Sequence, residues 1–275
     1  RNSLNCYIPY SFNIDNLIQY EFNNFSLNLM FRIFSLSTFH QNMYEKHSDK
    51  KGLNSYVSGF PQLDRFFIKP SANPWKHPNT NRKKIVWGPH WTIPGKQNTG
   101  LDWSCFLDFA EIFLKLADKY KDFLEFSLKP HPFLIPLLEK EENWGRKKTR
   151  QYLAEWQERE NCQLDLGDYV DLFICSDALI HDSGSFAIEY LCVNKPVAYT
   201  INTDNYWERF NMLGAKAINL HRIIWNEKGL EKFIQGVMAG NDEFEEQRVA
   251  FLEDELKADG QSGQRIVEHL GGIIA

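Results

Sequence analysis

The chain is poor in the features that usually announce a function. Its five cysteines, Cys6, Cys105, Cys162, Cys175 and Cys192, are widely spaced and form no CxxC pair. That excludes a zinc ribbon and a disulfide framework, and it reads as small core residues in a reducing compartment. No apolar run reaches the ~20 residues that a membrane-spanning helix needs. Positive charge is not in excess: 31 Lys and Arg stand against 36 Asp and Glu, a formal net charge of −5, so nucleic acid is not an expected partner. GxGxxG, Walker A, GxSxG, HExxH and EF-hand patterns are all missing. With them goes the sequence support for dehydrogenases, P-loop NTPases, serine hydrolases, zincins and calcium sensors. His40 and His47 lack metal-ligand partners in the sequence around them, so no metal is expected.

What is present is globular: 275 residues, 43% hydrophobic and 24% charged, enough for one large domain or two small ones. Aromatics reach 15%, which points to wide apolar faces and to an interface or membrane-facing patch. The opening RNSLNCYIPY has neither an initiator Met nor a secretory apolar stretch, so further sequence is expected upstream of Arg1 and the location is expected to be cytoplasmic.

Strand and helix patterns alternate from Ile85 to Met238. Apolar runs at Ile85–Gly88, Phe123–Leu128, Cys162–Leu166, Ala178–Ile180, Val197–Thr200 and Ala215–Leu220 predict strands. Helices are predicted over Ser104–Tyr120, with Phe106, Phe109, Ala110, Phe113, Leu114 and Ala117 on one face, and over Lys147–Glu160, Glu227–Met238, Asn241–Leu256 and Gln264–Leu270. An amphipathic helix is predicted over Leu27–Glu45, and the Pro-rich stretch Lys69–Lys84 reads as a linker. The alternation argues a doubly wound parallel sheet.

The stretch SDALIHDSGSFAIEYLCVNKP, Ser176 to Pro196, organises the rest. A buried strand ends at His181, Asp182, Ser183, Gly184 and Ser185, and a helix follows. Such a turn leaves backbone N–H groups and two hydroxyls free for an anion, with Gly184 allowing close approach. The competing reading is that Ser183 and Ser185 only cap the helix. Lys129-Pro130-His131-Pro132 ends another strand: Lys129 offers charge to a phosphate and His131 a donor or leaving-group proton, against a solvated lysine and a packed histidine. His90, in Pro89-His90-Trp91-Thr92, also follows a strand, where open α/β sheets bind ligands, and competes with a structural histidine.

These residues carry a resemblance. SDALIHDSGSFAIEYLCVNKPVAY and the K-P-H-P turn resemble the C-terminal half of the CDP-glycerol glycerophosphotransferases of teichoic-acid and capsule synthesis, and Tyr56-Val57-Ser58-Gly59-Phe60-Pro61-Gln62-Leu63-Asp64 resembles the V-x-G-x-P-x-x-D stretch that comes shortly before that half. The D-S-G-S turn is also similar to that of the UDP-N-acetylglucosamine 2-epimerases. Both belong to the GT-B superfamily, in which two Rossmann-like halves close on a nucleotide-activated donor.

The resemblance implies a Rossmann-like α/β domain over 80–275, a GT-B C-terminal half, preceded by a partial N-terminal segment and linker over 1–79. It implies transfer of an activated group from CDP-glycerol or a nucleotide-sugar to a polysaccharide or lipid-linked acceptor, with no cofactor required and with peripheral association at the inner membrane face. Lys129, Asp182, Ser183, Gly184, Ser185 and Glu189 would bind the nucleotide, Glu189 through ribose hydroxyls, and His131 and His90 would be catalytic. The loop after Thr200 lacks the family's Arg-Gly pattern, and nothing in Arg1 to Phe67 matches its His-Gly motif. The alternatives are an epimerase-like isomerase and a non-catalytic nucleotide-binding module.

Overall fold

The computed structural model describes residues 4–96 and 102–274, and the chain divides into two units. One comprises Arg1–Lys69, Trp207–Ala217 and Glu246–Ala275, the other Pro70–Tyr206 and Ile218–Glu245.

In the first unit, β1 (Cys6–Tyr7), β2 (Arg32–Ser35) and β3 (Ser55–Val57) form a parallel sheet in that order. β2 corrects the helix expected over Leu27–Glu45, which is instead a helix at Phe25–Leu29, this strand, and a helix at Thr38–His47. Ile33 and Phe34 are consecutive and both buried, as in a strand covered on both faces. Over so few residues that pattern cannot be told from a helical stripe. Ile33 packs with Phe22, Leu27 and Tyr44. His40 is a core histidine: its Nδ1 is 2.8 Å from the Ser37 hydroxyl, aromatic rings pack against it, and burial holds its pKa near 3.

The last helix, Ser262–Ile274, also packs in this unit, although 80–275 had been read as one domain. Its free N-terminal N–H groups explain why. Ser262 and Gly263 donate to the two carboxylate oxygens of Asp64 at 3.0 and 2.8 Å, and Arg265 donates to the Ser58 carbonyl. Gly59 is left-handed (φ +84°), and a Cβ there would meet the Ser262 hydroxyl at 2.5 Å. The Gly59 to Asp64 stretch is therefore the seat of the closing helix.

In the second unit, β4 (Lys83–Gly88), β5 (Leu124–Leu128), β6 (Cys162–Leu164), β7 (Ala178–His181), β8 (Val197–Thr200) and β9 (Arg222–Ile224) make one sheet, order β6-β5-β4-β7-β8-β9, every pair parallel. The chain winds outward from β4 to β6, returns beside β4 as β7, and winds the other way. The direction of winding reverses between β4 and β7. The helix Phe106–Lys119 buries the face its periodicity predicts, and Phe106 and Phe113 both stack on Trp87, with centroids at 5.3 and 4.0 Å.

Two further expectations fail. Ala215–Leu220 is not a strand: Met212–Ile218 is helical, opened by Asn211, whose side-chain oxygen accepts the Gly214 N–H at 3.0 Å. The last strand is instead Arg222–Ile224. The helix expected over Asn241–Leu256 is shorter, Glu245–Phe251 followed by a π-turn at Leu252–Leu256. All five cysteines are free thiols. No helix among the described residues is long and apolar enough to cross a membrane.

Because Trp87 is fully buried and carries two stacked rings, Trp87→Ala is expected to cost about 3–5 kcal/mol in urea unfolding. A loss below about 1 kcal/mol would show that the stack does not hold the sheet to its helix.

Candidate active site

Register brings three loops to one level at the carboxyl edge of the second unit's sheet. Gly88 pairs with His181, and Trp87 with Leu128. The Lys129 N–H donates to the Trp87 carbonyl at 2.8 Å and the His131 N–H to the Pro89 carbonyl at 3.1 Å, so the loops after β4 and β5 run side by side. Across the switch point Asp182 joins β7 to both loop and helix. One carboxylate oxygen accepts the His90 N–H at 2.5 Å, the other the Cys105 N–H at 2.6 Å, and Asp182 is fully buried. Asp182 therefore acts through the backbone it holds.

The three loops repeat one local bond. In each, a histidine Nδ1 accepts the N–H of the residue two positions on: Thr92 to His90 at 3.3 Å, Phe133 to His131 at 3.1 Å, and Ser183 to His181 at 3.1 Å. An Nδ1 used as an acceptor leaves the proton of the neutral ring on Nε2. All three rings are held neutral. Burial, then the neighbouring His131, lowers His90 to about 3. Burial, then the Lys129 charge, lowers His131 to about 4, and burial takes His181 well below the ordinary imidazole value. The rings of His90 and His131 lie 5.4 Å apart. His181 was passed over as a functional candidate; its spacing of two from Ser183 was the available signal.

Lys129 is buried, with its ammonium 4.0 Å from an Asp165 carboxylate oxygen. Burial lowers its pKa, and Asp165 and Asp168 oppose that shift. Ser183 is buried and Ser185 half-buried at the start of a helix reduced to Phe186–Glu189 and a 3₁₀ turn at Tyr190–Val193. The Ser185 side chain makes no cap bond, so the capping reading does not describe it. Among the described residues, the N–H groups of Gly184, Ser185 and Phe186 make no hydrogen bond.

Gly184 is required by a tryptophan. A Cβ there would sit 2.2 Å from the Trp103 ring, which also lies 5.6 Å from the His90 ring. Sequence alone gave no signal for Trp103. Glu189 stands apart: it is buried and accepts a hydrogen bond from the Tyr169 hydroxyl.

A cleft of about 600 Å³ lies at the opposite, amino edge of the sheet, lined in part by His77, Arg82, Lys83 and Glu160. Arg82 is already paired there with Glu160 at 3.1 Å, and ligands of doubly wound sheets bind at the carboxyl edge. Among the described residues, no group of three or more His, Cys, Asp and Glu side chains is placed to hold a metal ion.

Strand order and switch point define a Rossmann-like, doubly wound parallel α/β fold. Solved structures share it. The wall teichoic acid polymerase TagF aligns with a TM-score of 0.67 at 16% identity, covering 100% of this chain and 69% of that one. The UDP-GlcNAc 2-epimerase of Methanocaldococcus jannaschii, solved with UDP-GlcNAc and UDP, aligns at 0.53 and 13%, covering 88% and 61%. No curated protein matches. The profile of the CDP-Glycerol:Poly(glycerophosphate) glycerophosphotransferases matches residues 24–271, and the chain belongs to that family. It is accordingly a transferase that moves an activated group from a nucleotide donor to a polymer acceptor.

Two outcomes follow from this geometry. Asp182→Asn places an NH₂ group against one of two backbone donors, and is expected to lower stability by about 1.5–3 kcal/mol in thermal or urea unfolding. A wild-type value would remove the clamp. Histidines whose folded pKa lies below the unfolded value stabilise the fold above the unfolded value and lose that contribution as pH falls. Stability is therefore expected to drop from about pH 6.5 toward about pH 3, less steeply in His90→Asn and His131→Asn, read from melting temperature against pH.

Proposed function

We propose that the second unit binds CDP-glycerol with its diphosphate at the carboxyl ends of β4, β5 and β7, and that glycerol phosphate passes to a cell-surface polymer. The observation carrying this reading is the switch point between β4 and β7, flanked by His90 on one side and by the unpaired N–H groups of Gly184, Ser185 and Phe186 on the other. An acceptor hydroxyl attacks the phosphorus bearing glycerol. The new P–O bond forms as the bond to the bridging oxygen breaks, CMP leaves with the electron pair, and the hydroxyl proton passes to solvent. The chain's task is positioning and charge compensation.

Lys129 supplies the cation, and the N–H groups of the turn with the Ser183 and Ser185 hydroxyls supply neutral donors. His131 and His90 donate through Nε2–H to phosphate oxygens. No metal or cofactor enters this scheme. Asp182 positions the loops, and Glu189, reached through Tyr169, orders the wall on the nucleotide side.

The acceptor in this reading is a lipid-linked teichoic-acid or capsule polymer at the inner membrane face, with the chain cytoplasmic and peripheral. In support, the first unit exposes Tyr10, Tyr20 and Phe25 at 75–86% of their surface, side chains suited to a membrane interface.

The test is calorimetric binding of CDP-glycerol, CDP, UDP and UDP-N-acetylglucosamine. Cytidine ligands are expected to bind more tightly. Lys129→Ala and His131→Ala should each weaken CDP-glycerol about tenfold or more, a loss of ~1.4 kcal/mol. Preference for uridine would turn the reading to sugar chemistry, and unchanged affinity in both variants would sink the site.

A further inference from the structure

Thr92 stands two residues beyond His90 and is fully buried. It touches the ring twice. Its N–H donates to His90 Nδ1 at 3.3 Å, and its hydroxyl oxygen lies 2.8 Å from the same nitrogen. Since Nδ1 already accepts from the amide, it is an acceptor for the hydroxyl as well, and Thr92 Oγ1–H is the donor. The Thr92 oxygen in turn accepts the Trp103 N–H at 3.2 Å, and the Thr92 carbonyl accepts the Ser104 N–H at 3.0 Å. Among the described residues, His90 Nδ1 is the acceptor within reach of the Thr92 hydroxyl proton.

Among the described residues, His131 and His181 have only the amide bond on Nδ1, whereas His90 carries a second contact there, and its own N–H is held by Asp182.

We propose that Thr92 is a positioning residue that locks His90 as the Nε2–H tautomer, making His90 a fixed neutral donor toward the phosphate oxygens of the bound nucleotide and removing it as a general base. The chain of bonds runs Trp103 N–H to Thr92 Oγ1–H to His90 Nδ1, so the residue covering Gly184 and the ring facing His131 are set by one hydroxyl. The role of His90 at phosphate rests on the donor site proposed above; the tautomer does not.

The experiment reads the two separately. Two-bond ¹⁵N–¹H correlation spectra of the full chain report which ring nitrogen carries the proton, with His131 and His181 as internal references. Wild type and Thr92→Ser are expected to show His90 with a bare Nδ1 and protonated Nε2. Thr92→Val leaves on His90 Nδ1 only the amide contact, which at 3.3 Å is longer than the 3.1 Å contacts of the two reference rings. It should therefore shift His90 toward mixed tautomers, leave the reference rings unchanged, and weaken CDP-glycerol about tenfold, with Thr92→Ser close to wild type.

A protonated Nδ1 on His90 in the wild type overturns the proposal, as does a Thr92→Val spectrum and affinity equal to wild type. A tautomer change in Thr92→Val, with CDP-glycerol affinity indifferent to Thr92→Val, His90→Ala and Lys129→Ala alike, upholds the lock and overturns the donor site instead. Should Thr92→Val not fold, the wild-type and Thr92→Ser spectra still decide the tautomer.

Discussion

A buried carboxylate is costly unless hydrogen-bond donors satisfy it. Asp182 is satisfied by the N–H groups of His90 and Cys105, which lie on different segments following β4. Those two bonds fix the loop after β4 and the approach to the helix Phe106–Lys119 against the end of β7. Everything at this edge depends on that fixing. The ring of His90 starts from the residue whose N–H is held, and Trp103 is two residues before the other. A doubly wound sheet opens a crevice at its switch point because no connection crosses it. Here Asp182 ties the two sides of that switch point together.

The histidines show why type and spacing in sequence are a weak guide to protonation. A K-P-H-P loop invites an imidazolium that protonates a leaving group. The folded loop instead gives His131 an amide on Nδ1, a neighbouring Lys129 and partial burial, all of which favour the neutral ring. At neutral pH such a ring stores no proton for general acid catalysis, yet it remains a directed N–H donor. The same holds for His90, whose neighbours are His131 and apolar rings.

Much of this was legible in the sequence, and the failures have physical causes. Ala178 to His181, the K-P-H-P loop and the helical face from Phe106 to Ala117 are read correctly because their signals are local: a short apolar run closed by polar residues, proline on both sides of a histidine, and a 3.6 period. β2 was misread because two consecutive buried residues have no period of their own. Met212–Ile218 was misread because Asn211 as a cap outweighs a run of small apolar residues. The role of Asp64 could not be read at all, since its partners Ser262 and Gly263 lie about two hundred residues on. Gly184 has a further reason to be glycine that the sequence does not show: its missing side chain admits the Trp103 ring, and no local pattern points to a residue 81 positions earlier.

That second cause bears on the chemistry. With Trp103 over the α-carbon of Gly184, the glycine face is covered, so a ligand must meet this turn through its N–H groups and the half-buried Ser185. Neutral N–H donors are suited to the reaction in question. In phosphoryl transfer the transition state spreads charge over equatorial oxygens, with little change in total charge, so fixed dipoles aimed at those oxygens need not move as the reaction proceeds. In the proposed donor site neutral imidazoles and backbone amides would meet that need, and Lys129, held among Asp165 and Asp168, would supply charge without being an uncompensated cation in the absence of ligand. The geometry favours stabilisation by prearranged dipoles over proton transfer by the histidines of this unit.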